Sequence, residues 1–245
     1  NDLIKIIGLE INKEYTKDSL NKLRYGQILI MTDQDHDGSH IKGLLLCLFH
    51  TLWPSLLTVG FLSSMITPII KVSHGNQSVS FYNISNYEEW KSLHNDKKWK
   101  IKYYKGLGTS TAKEALEYFE TKKIMKYNYN ETTNQSIDLA FKKDQSDCRK
   151  EWLYNYNPTI ILHPDQTDVP ISEFINKELI HFSNSDTLRS IGSLVDGLKP
   201  SQRKILYCCF KRKLYKEIKV AQLSGYVSEN SAYHHGEMSL QNTII

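Results

Sequence analysis

The chain has 245 residues, of which 40% are hydrophobic and 24% charged, and its formal net charge is +4 at neutral pH. This length allows one large domain or two modest ones with a sizeable core. No apolar run is long enough to span a membrane, the first residues lack a signal-peptide pattern, and the four cysteines lack metal-ligand spacing. We therefore expect reduced thiols, no membrane partner and no secretion.

The first predicted strand, 28–31, leads directly into three acids at alternating positions, Asp33, Asp35 and Asp37. Alternate side chains on an extended backbone project to one side, so the three carboxylates can converge on a hard cation that prefers oxygen ligands. Gly38 lets the chain turn away immediately afterwards. The pattern predicts a Mg²⁺ site.

The same residues have two other interpretations. A calcium-binding EF-hand loop also begins with three acids at this spacing. Counted from Asp33, however, its twelfth position is Leu44, where a bidentate Glu is needed, and a strand rather than a helix is predicted before the acids. A solvated acidic turn without a ligand stays open as the alternative.

The elements predicted next alternate between helix and strand, which indicates an α/β layer. The acids would then lie at the carboxyl end of a sheet strand, where open α/β sheets hold their ligands. These elements are a helix at 41–58, strands at 65–72, 79–83 and 99–104, and a helix at 111–123.

A glycine-containing loop, Lys105-Gly106-Leu107-Gly108-Thr109-Ser110, lies between the last of these strands and the helix after it. Backbone N–H groups at a helix N-terminus can approach a phosphate, with Lys105 as a point charge. An ordinary N-cap by Thr109 or Ser110 explains the same residues equally well.

The rest of the chain is predicted to contain a connector and a helical domain. Residues 127–170 are rich in Asn, Asp, Gln and Thr and indicate an irregular connector, whereas the later pattern is typical of a winged-helix DNA-binding unit. The predicted domains are 1–126, 127–170 and 171–245, with helices at 136–153, 171–182, 201–213 and 238–245.

Cations are concentrated in the second domain, where residues 199–219 contain eight Lys and Arg against the single acid Glu217. Arg can hold a phosphate through two hydrogen bonds, and Lys supplies charge with looser geometry. A solvated helix surface is the alternative. The candidate DNA-binding cations are Arg189, Lys199, Arg203 and Lys204.

Several segments together resemble a known family. The block 24–46 looks like the second acidic motif of the Toprim domain in eukaryotic type IIA DNA topoisomerases, and the later segments follow in the order that this family shows. They are Ile66-Thr67-Pro68-Ile69, 102–110, Asp196-Gly197-Leu198-Lys199-Pro200 and 233–240. The resemblance covers essentially the whole chain. It implies a Toprim-type sheet with flanking helices, of which 1–126 is the C-terminal part, followed by the start of a mainly helical winged-helix domain.

The resemblance also implies roles for individual residues. Arg189 and His235 match positions beside the scissile phosphate of DNA. Lys199, Tyr233 and Ser239 match DNA-contacting positions, and Arg203 and Lys204 are additional candidates. The aspartates would hold Mg²⁺ in a two-ion site completed by a Glu outside this chain, with Asp37 a direct or water-mediated ligand. In many members of this family we expect a Gln at the position that His36 occupies in this sequence.

The implied reaction is transesterification by a tyrosine hydroxyl on a DNA phosphodiester. In the family this tyrosine directly follows an arginine beyond the double histidine, and no such pair follows His235. We therefore expect a piece of a longer, nuclear, homodimeric enzyme whose tyrosine and ATP-binding region lie elsewhere. A Toprim metal-dependent nuclease and a non-catalytic DNA-binding module are the alternatives.

Overall fold

The computed structural model describes residues 2–75, 77–94, 98–104, 107–163, 165–233 and 235–245. The chain forms two compact units, Asn1–Phe182 and Ser183–Ile245. Each unit has its own hydrophobic core. The helical segment 171–182, which we predicted to open the second domain, belongs to the first unit, because Ile171, Phe174 and Leu179 are buried in the first core.

The elements of the first unit alternate between helix and strand, as predicted. The strands are β1 (Ile28–Ile30), β2 (Leu62–Met65), β3 (Ile70–His74), β4 (Gln77–Phe81), β5 (Lys100–Tyr103), β6 (Ile124–Asn128) and β7 (Asp168–Pro170). The helices are α1 (Asp2–Ile7), α2 (His36–Leu52), α3 (Pro54–Thr58), α4 (Ile84–Leu93), α5 (Ala112–Thr121), α6 (Thr133–Phe141), α7 (Ser146–Tyr154) and α8 (Ile171–Phe174). A π-helical turn, Ile175–Leu179, continues α8 and leads into α9 (Ile180–Ser190), in which the division between the units falls.

A mixed sheet with the strand order β1-β2-β6-β7 forms the centre of the first unit. β1 and β2 are parallel, with Ile28 opposite Leu62 and Ile30 opposite Ser64. β6 is antiparallel to β2 and parallel to β7. Because β1 and β2 are parallel, their carboxyl ends lie at the same edge of the sheet, and there the chain enters the acidic residues.

Helix α2 follows that edge and contributes one face to the core of the sheet. Its buried residues include Lys42, Leu46 and Phe49, which recur at the spacing of a single helical stripe. The helix predicted at 41–58 is in fact two helices. α2 ends at Leu52, and Pro54 begins α3, because proline fits a first helical turn but breaks a helix interior.

A second, antiparallel sheet has the strand order β4-β3-β5. Ile70, Val72, Phe81 and Tyr87 form a small core beside it. The single strand predicted at 65–72 is therefore wrong, because β2 and β3 belong to different sheets. Pro68, which lacks an N–H group for a ladder hydrogen bond, lies between them.

The segment predicted as an irregular connector is largely regular. It contains α6, α7 and β7, and Val169 of β7 is fully buried. The single helical piece predicted at 136–153 is α6 and α7, separated by the 3-10 turn Lys143–Gln145.

The second unit contains the end of α9 and the helices α10 (Pro200–Arg212), α11 (Val220–Asn230) and α12 (Glu237–Ile244). The last three helices meet through five buried residues, which are Ile205, Cys208, Leu223, Val227 and Leu240. The predictions of α10 and α12 are confirmed. α11 was not predicted because one Gly, two Ser and two Val lower the helix propensity of its sequence.

The predicted fold class is confirmed, with an α/β sheet unit followed by a helical unit. Within the described ranges, no helix is both long and apolar enough to cross a membrane.

Candidate metal site and nucleic-acid interface

Residues 33–38, called the acidic turn below, lie at the shared carboxyl edge of β1 and β2. Nε2 of Gln34, between the first two aspartates, donates to the backbone oxygen of Met65 at 3.2 Å, which ties the turn to the end of β2. Asp33 and Asp37 are partly exposed, and Asp35 is exposed. The sheet therefore presents carboxylates to solvent at one edge.

The extended run ends at Asp35, earlier than the sequence pattern predicts. Asp35 is the N-cap of α2, and its Oδ1 accepts a hydrogen bond from the N–H of Gly38 at 2.7 Å. Asp37 consequently lies in the first turn of α2, where the alternation of an extended backbone no longer applies. A carboxylate near a helix N-terminus is favoured by the exposed N–H groups there.

Gly38 allows the tight turn by close approach rather than by an unusual backbone angle. A Cβ atom at this position would lie 1.9 Å from the backbone oxygen of Asp33. Any side chain at position 38 would therefore push the Asp33 backbone away from the start of α2.

The donor set of the turn fits Mg²⁺, which prefers carboxylate oxygens and keeps several water ligands. In the described part of the chain, the hydrogen bond of Asp35 uses Oδ1, so Oδ2 can serve as a ligand. Among the residues that the structure describes, no group of three or more His, Cys, Asp or Glu is placed to share a metal ion. The aspartates therefore do not form a complete cage by themselves.

Three buried or partly buried polar residues lie beneath the turn. Lys42 is 3% exposed, and its Nζ lies 2.6 Å from Oε1 of Glu178 in the π-helical turn. Ser39 contacts the same oxygen at 2.7 Å. Sequence reasoning missed this group, although one signal was available: Lys42 lies on the apolar stripe of α2, where a cation needs a buried partner.

A cavity of about 600 Å³ opens beside the turn, and its lining includes Gln34, Asp35 and His36. His181 also lines it and is fixed by two contacts at 2.9 Å, one to the Tyr156 hydroxyl and one to the Ile160 backbone oxygen. Its ring lies 6.1 Å from that of His36. His36 therefore adds an aromatic ring at a position where we expected a Gln side chain.

The predicted phosphate-binding Lys105 lies outside the described residues. The N-cap of α5 is Thr111, not Thr109 or Ser110, and it forms a capping box with Glu114. Nζ of Lys102 lies 2.9 and 2.7 Å from the two oxygens of Glu114. Burial alone would raise the pKa of Glu114, because it disfavours the charged carboxylate. Hydrogen bonds donated by Lys102, Thr111 and Tyr104 have the larger combined effect and lower this pKa to about 2.

In the second unit, Lys204 and His235 both contact the ring of Tyr233. The ammonium of Lys204 lies 6.0 Å from the ring centroid, and the His235 ring packs edge-on at 5.6 Å. Lys204 also donates to the backbone oxygen of Ala232 at 3.1 Å. The structure thus brings together three predicted site residues that are up to 31 positions apart, from 204 to 235.

The other predicted residues are more dispersed. Arg203 pairs with Asp196 at 2.9 Å, and Arg189 pairs with Asp186 at 3.1 Å. The N–H of Leu198 and the Arg203 guanidinium lower the pKa of Asp196. Lys199 is the exposed N-cap residue of α10, and Ser239 is exposed in the first turn of α12.

Arg203 and Lys204 also line an apolar groove of about 850 Å³ in the second unit. Leu188, Ile191 and Tyr207 line the same groove and are exposed. The cations of α10 therefore lie beside apolar surface rather than within a uniformly charged face.

A mixed sheet presents an acidic turn at the ends of parallel strands, and a separate helical unit carries cations, which is the arrangement implied by the resemblance to Toprim-containing enzymes. Comparison with protein families agrees. Residues 65–187 match the C-terminal associated domain of TOPRIM, and residues 189–245 match the family of DNA gyrase/topoisomerase IV A-type subunits.

The chain is 55% identical, over its whole length, to DNA topoisomerase 2-alpha of Rattus norvegicus and of Homo sapiens. It is 54% identical to DNA topoisomerase 2-beta of Gallus gallus. It also resembles the crystal structure of the Plasmodium falciparum topoisomerase II DNA-binding, cleavage and re-ligation domain. That match has a TM-score of 0.83 and 51% identity, and it covers 99% of this chain and 34% of the other.

The chain belongs to the family of eukaryotic type II DNA topoisomerases. It spans 17% of the length of the rat and human relatives and 16% of the chicken one.

Proposed function

We propose that this chain forms part of the DNA breakage-reunion region of an ATP-dependent type II topoisomerase that acts on double-stranded DNA as a nuclear homodimer. The observation that carries the proposal is the acidic turn at the shared edge of β1 and β2 in a member of this family. The nucleophilic tyrosine, the glutamate that completes the metal site and the ATP-binding region would lie outside these residues.

In this proposal Asp33 and Asp35 hold Mg²⁺, and Asp37 is a direct or water-mediated ligand. When bound, Mg²⁺ neutralises charge that develops on the leaving oxygen of the phosphodiester. The cap between Asp35 and Gly38 supports this role, because it fixes one carboxylate oxygen and thereby limits the orientation of the other.

The side chains of the second unit would hold the DNA backbone. Arg189 and His235 would lie beside the scissile phosphate, and Lys199, Tyr233 and Ser239 would contact the flanking DNA. The contacts of Tyr233 with Lys204 and His235 support this assignment. They limit where the Lys204 ammonium and the His235 ring can lie, and groups with fixed positions suit contacts to the DNA backbone. Arg203, Lys204 and Lys105 are the remaining candidates for phosphate contacts.

Cleavage of supercoiled DNA by the protein at its natural length tests the metal assignment. We would compare the wild type with the double variant Asp33→Asn/Asp35→Asn and trap covalent complexes with denaturant. Asn is also a good N-cap, so α2 should survive, while the charge and one of the two carboxylate oxygens are lost. Asp147→Asn is the matched control, because the Asp147 side chain lies on α7 and is 87% exposed.

We expect protein-linked double-strand breaks from the wild type and the Asp147→Asn control, and at least about a hundredfold fewer from the double variant, given the usual loss when charge stabilisation is removed. Free DNA ends without attached protein would indicate a metal-dependent nuclease instead. Equal cleavage by all three proteins would contradict the assignment of these aspartates.

A further inference from the structure

An ion pair between the buried Lys42 and the partly buried Glu178 joins α2 to the π-helical turn beside the acidic turn. Lys42 and Glu178 lie 2.6 Å apart, and their side chains are 4% and 20% exposed. Oγ of Ser39 lies 2.7 Å from the same oxygen of Glu178. Glu178 therefore holds two residues on one face of α2, which are three positions apart.

Ser39 links Glu178 to the residue that caps α2. Its hydroxyl has one proton and two acceptors in reach, Glu178 at 2.7 Å and the backbone oxygen of Asp35 at 3.1 Å. The shorter contact to a carboxylate is the stronger, so the hydroxyl donates to Glu178. The N–H of Ser39 donates to the Asp35 backbone oxygen at 3.1 Å. Ser39 therefore connects Glu178, through its hydroxyl, to the backbone carbonyl of the N-cap residue Asp35, through its N–H.

Gly43 of α2 packs closely against the Leu179 side chain beside this pair. A Cβ atom at Gly43 would lie 3.0 Å from Cδ1 of Leu179 and 3.2 Å from Cζ of Phe141, so a larger residue would require these side chains to shift. Single π-turns inside helices are frequent at functional sites. The ion pair therefore lies beside a close contact between Gly43 of α2 and Leu179 of the π-helical turn.

Stability alone is a weak reason for this arrangement. Removing charged groups such as Lys42 and Glu178 from water costs free energy, and their mutual attraction offsets this cost only partly. An apolar pair of similar volume often stabilises a core better. Orientation is a better reason, because hydrogen-bonded partners behind a metal ligand determine where its oxygens point.

We propose that Glu178 is a positioning residue that fixes the first turn of α2 through Ser39 and Lys42 and thereby orients Asp35 toward Mg²⁺. The proposal rests on the metal-binding role given above to the acidic turn. It adds a residue from the other end of the first unit, 143 positions after Asp35, to the determinants of metal affinity.

The test compares Glu178→Gln and Ser39→Ala with a matched control, Glu173→Gln, in the protein at its natural length. Glu173 lies on α8 and forms a partly exposed i,i+4 pair with Lys177. Two quantities are measured, the Mg²⁺ affinity by titration calorimetry without DNA and the Mg²⁺ concentration that gives half-maximal DNA cleavage.

Both test variants should bind Mg²⁺ about tenfold more weakly, which is the usual effect of losing a partner behind a metal ligand. Saturating Mg²⁺ should restore cleavage toward the wild-type level, and Glu173→Gln should behave as wild type. Unchanged Mg²⁺ affinity in both variants, even with a lower melting temperature, would overturn the proposal, because a merely structural residue gives that result.

Two further outcomes are distinguishable. If Glu178→Gln leaves Lys42 unpaired and the protein does not fold, the Mg²⁺ affinity of Ser39→Ala alone tests the proposal. This variant removes the hydrogen bond between Ser39 and Glu178 and keeps the Lys42–Glu178 ion pair. If the wild type binds Mg²⁺ but forms no protein-linked breaks, the proposed function fails. A tenfold calorimetric difference between Ser39→Ala and wild type would still support the positioning role in that case.

Discussion

At the scale of single residues, Gly38 decides where the carboxylates of the acidic turn lie. A methyl group there would meet the backbone oxygen of Asp33 at 1.9 Å, and a backbone atom cannot move aside as a flexible side chain can. We expect Gly38→Ala to destabilise the turn by about 1–3 kcal/mol, the cost typical of overpacking. Faster hydrogen exchange in peptides that cover 28–45 would measure this effect.

Gly26→Ala is the matched control for this prediction. A Cβ atom at Gly26 would have no neighbour within 4 Å, so hydrogen exchange in the same peptides should stay at the wild-type rate. If Gly38→Ala also left exchange unchanged, the close approach to Asp33 would be irrelevant to the local stability of the turn.

Local sequence predicted the acidic turn but not the residues that support it. Asp33, Asp35 and Gly38 are contiguous with an apolar strand, so their pattern can be read directly. Lys42 and Glu178 are separated by 136 positions, and no short-range pattern joins them. The end of the extended run was also misplaced, because the N-cap of α2 depends on a hydrogen bond from Gly38 to Asp35.

At the scale of elements, Glu114 joins the start of α5 to β5 through Lys102. Its pKa is lowered to about 2 from an ordinary value of 4.5, so its contribution to stability is complete above about pH 4.5 and is lost as the pH falls toward 2. Glu114→Gln should lower the free energy of unfolding by roughly 1 kcal/mol at neutral pH, after allowance for solvent screening.

The difference in unfolding free energy between wild type and Glu114→Gln should therefore shrink as the pH falls from 4.5 to about 2. Urea unfolding followed by tryptophan fluorescence measures it. Glu120→Gln, an exposed position on the same helix, should change stability little at any pH. A constant difference across this range would show that the carboxylate charge is not what stabilises the junction.

Element boundaries were predicted well only where a local signal marked them. α10 begins at Pro200 and α12 begins within one residue of the predicted start, because turn residues precede both. The predicted helix at 41–58 included Pro54, because apolar residues recur both before and after the boundary between α2 and α3. The assignment of β2 and β3 to different sheets depends on long-range pairing, which sequence periodicity does not contain.

At the scale of the whole molecule, the chain forms two units with separate cores, so the effects of substitutions in the acidic turn and in α10 can be measured separately. Lys204 has the clearest anchored geometry among the predicted phosphate contacts, since it is fixed by Ala232 and by the ring of Tyr233. Each phosphate contact releases a counterion, so its loss lowers the dependence of binding on salt.

We expect Lys204→Gln, measured without Mg²⁺, to weaken DNA binding and to reduce the slope of log affinity against log salt by about 1. Asp33→Asn should leave that slope unchanged, because an anionic carboxylate makes no counterion-releasing contact with a phosphate. Lys150→Gln, at a side chain that is 78% exposed on α7, is the control for loss of a positive charge elsewhere. An equal fall in slope for Lys150→Gln and Lys204→Gln would mean that net charge, and not the cluster around Tyr233, governs DNA binding.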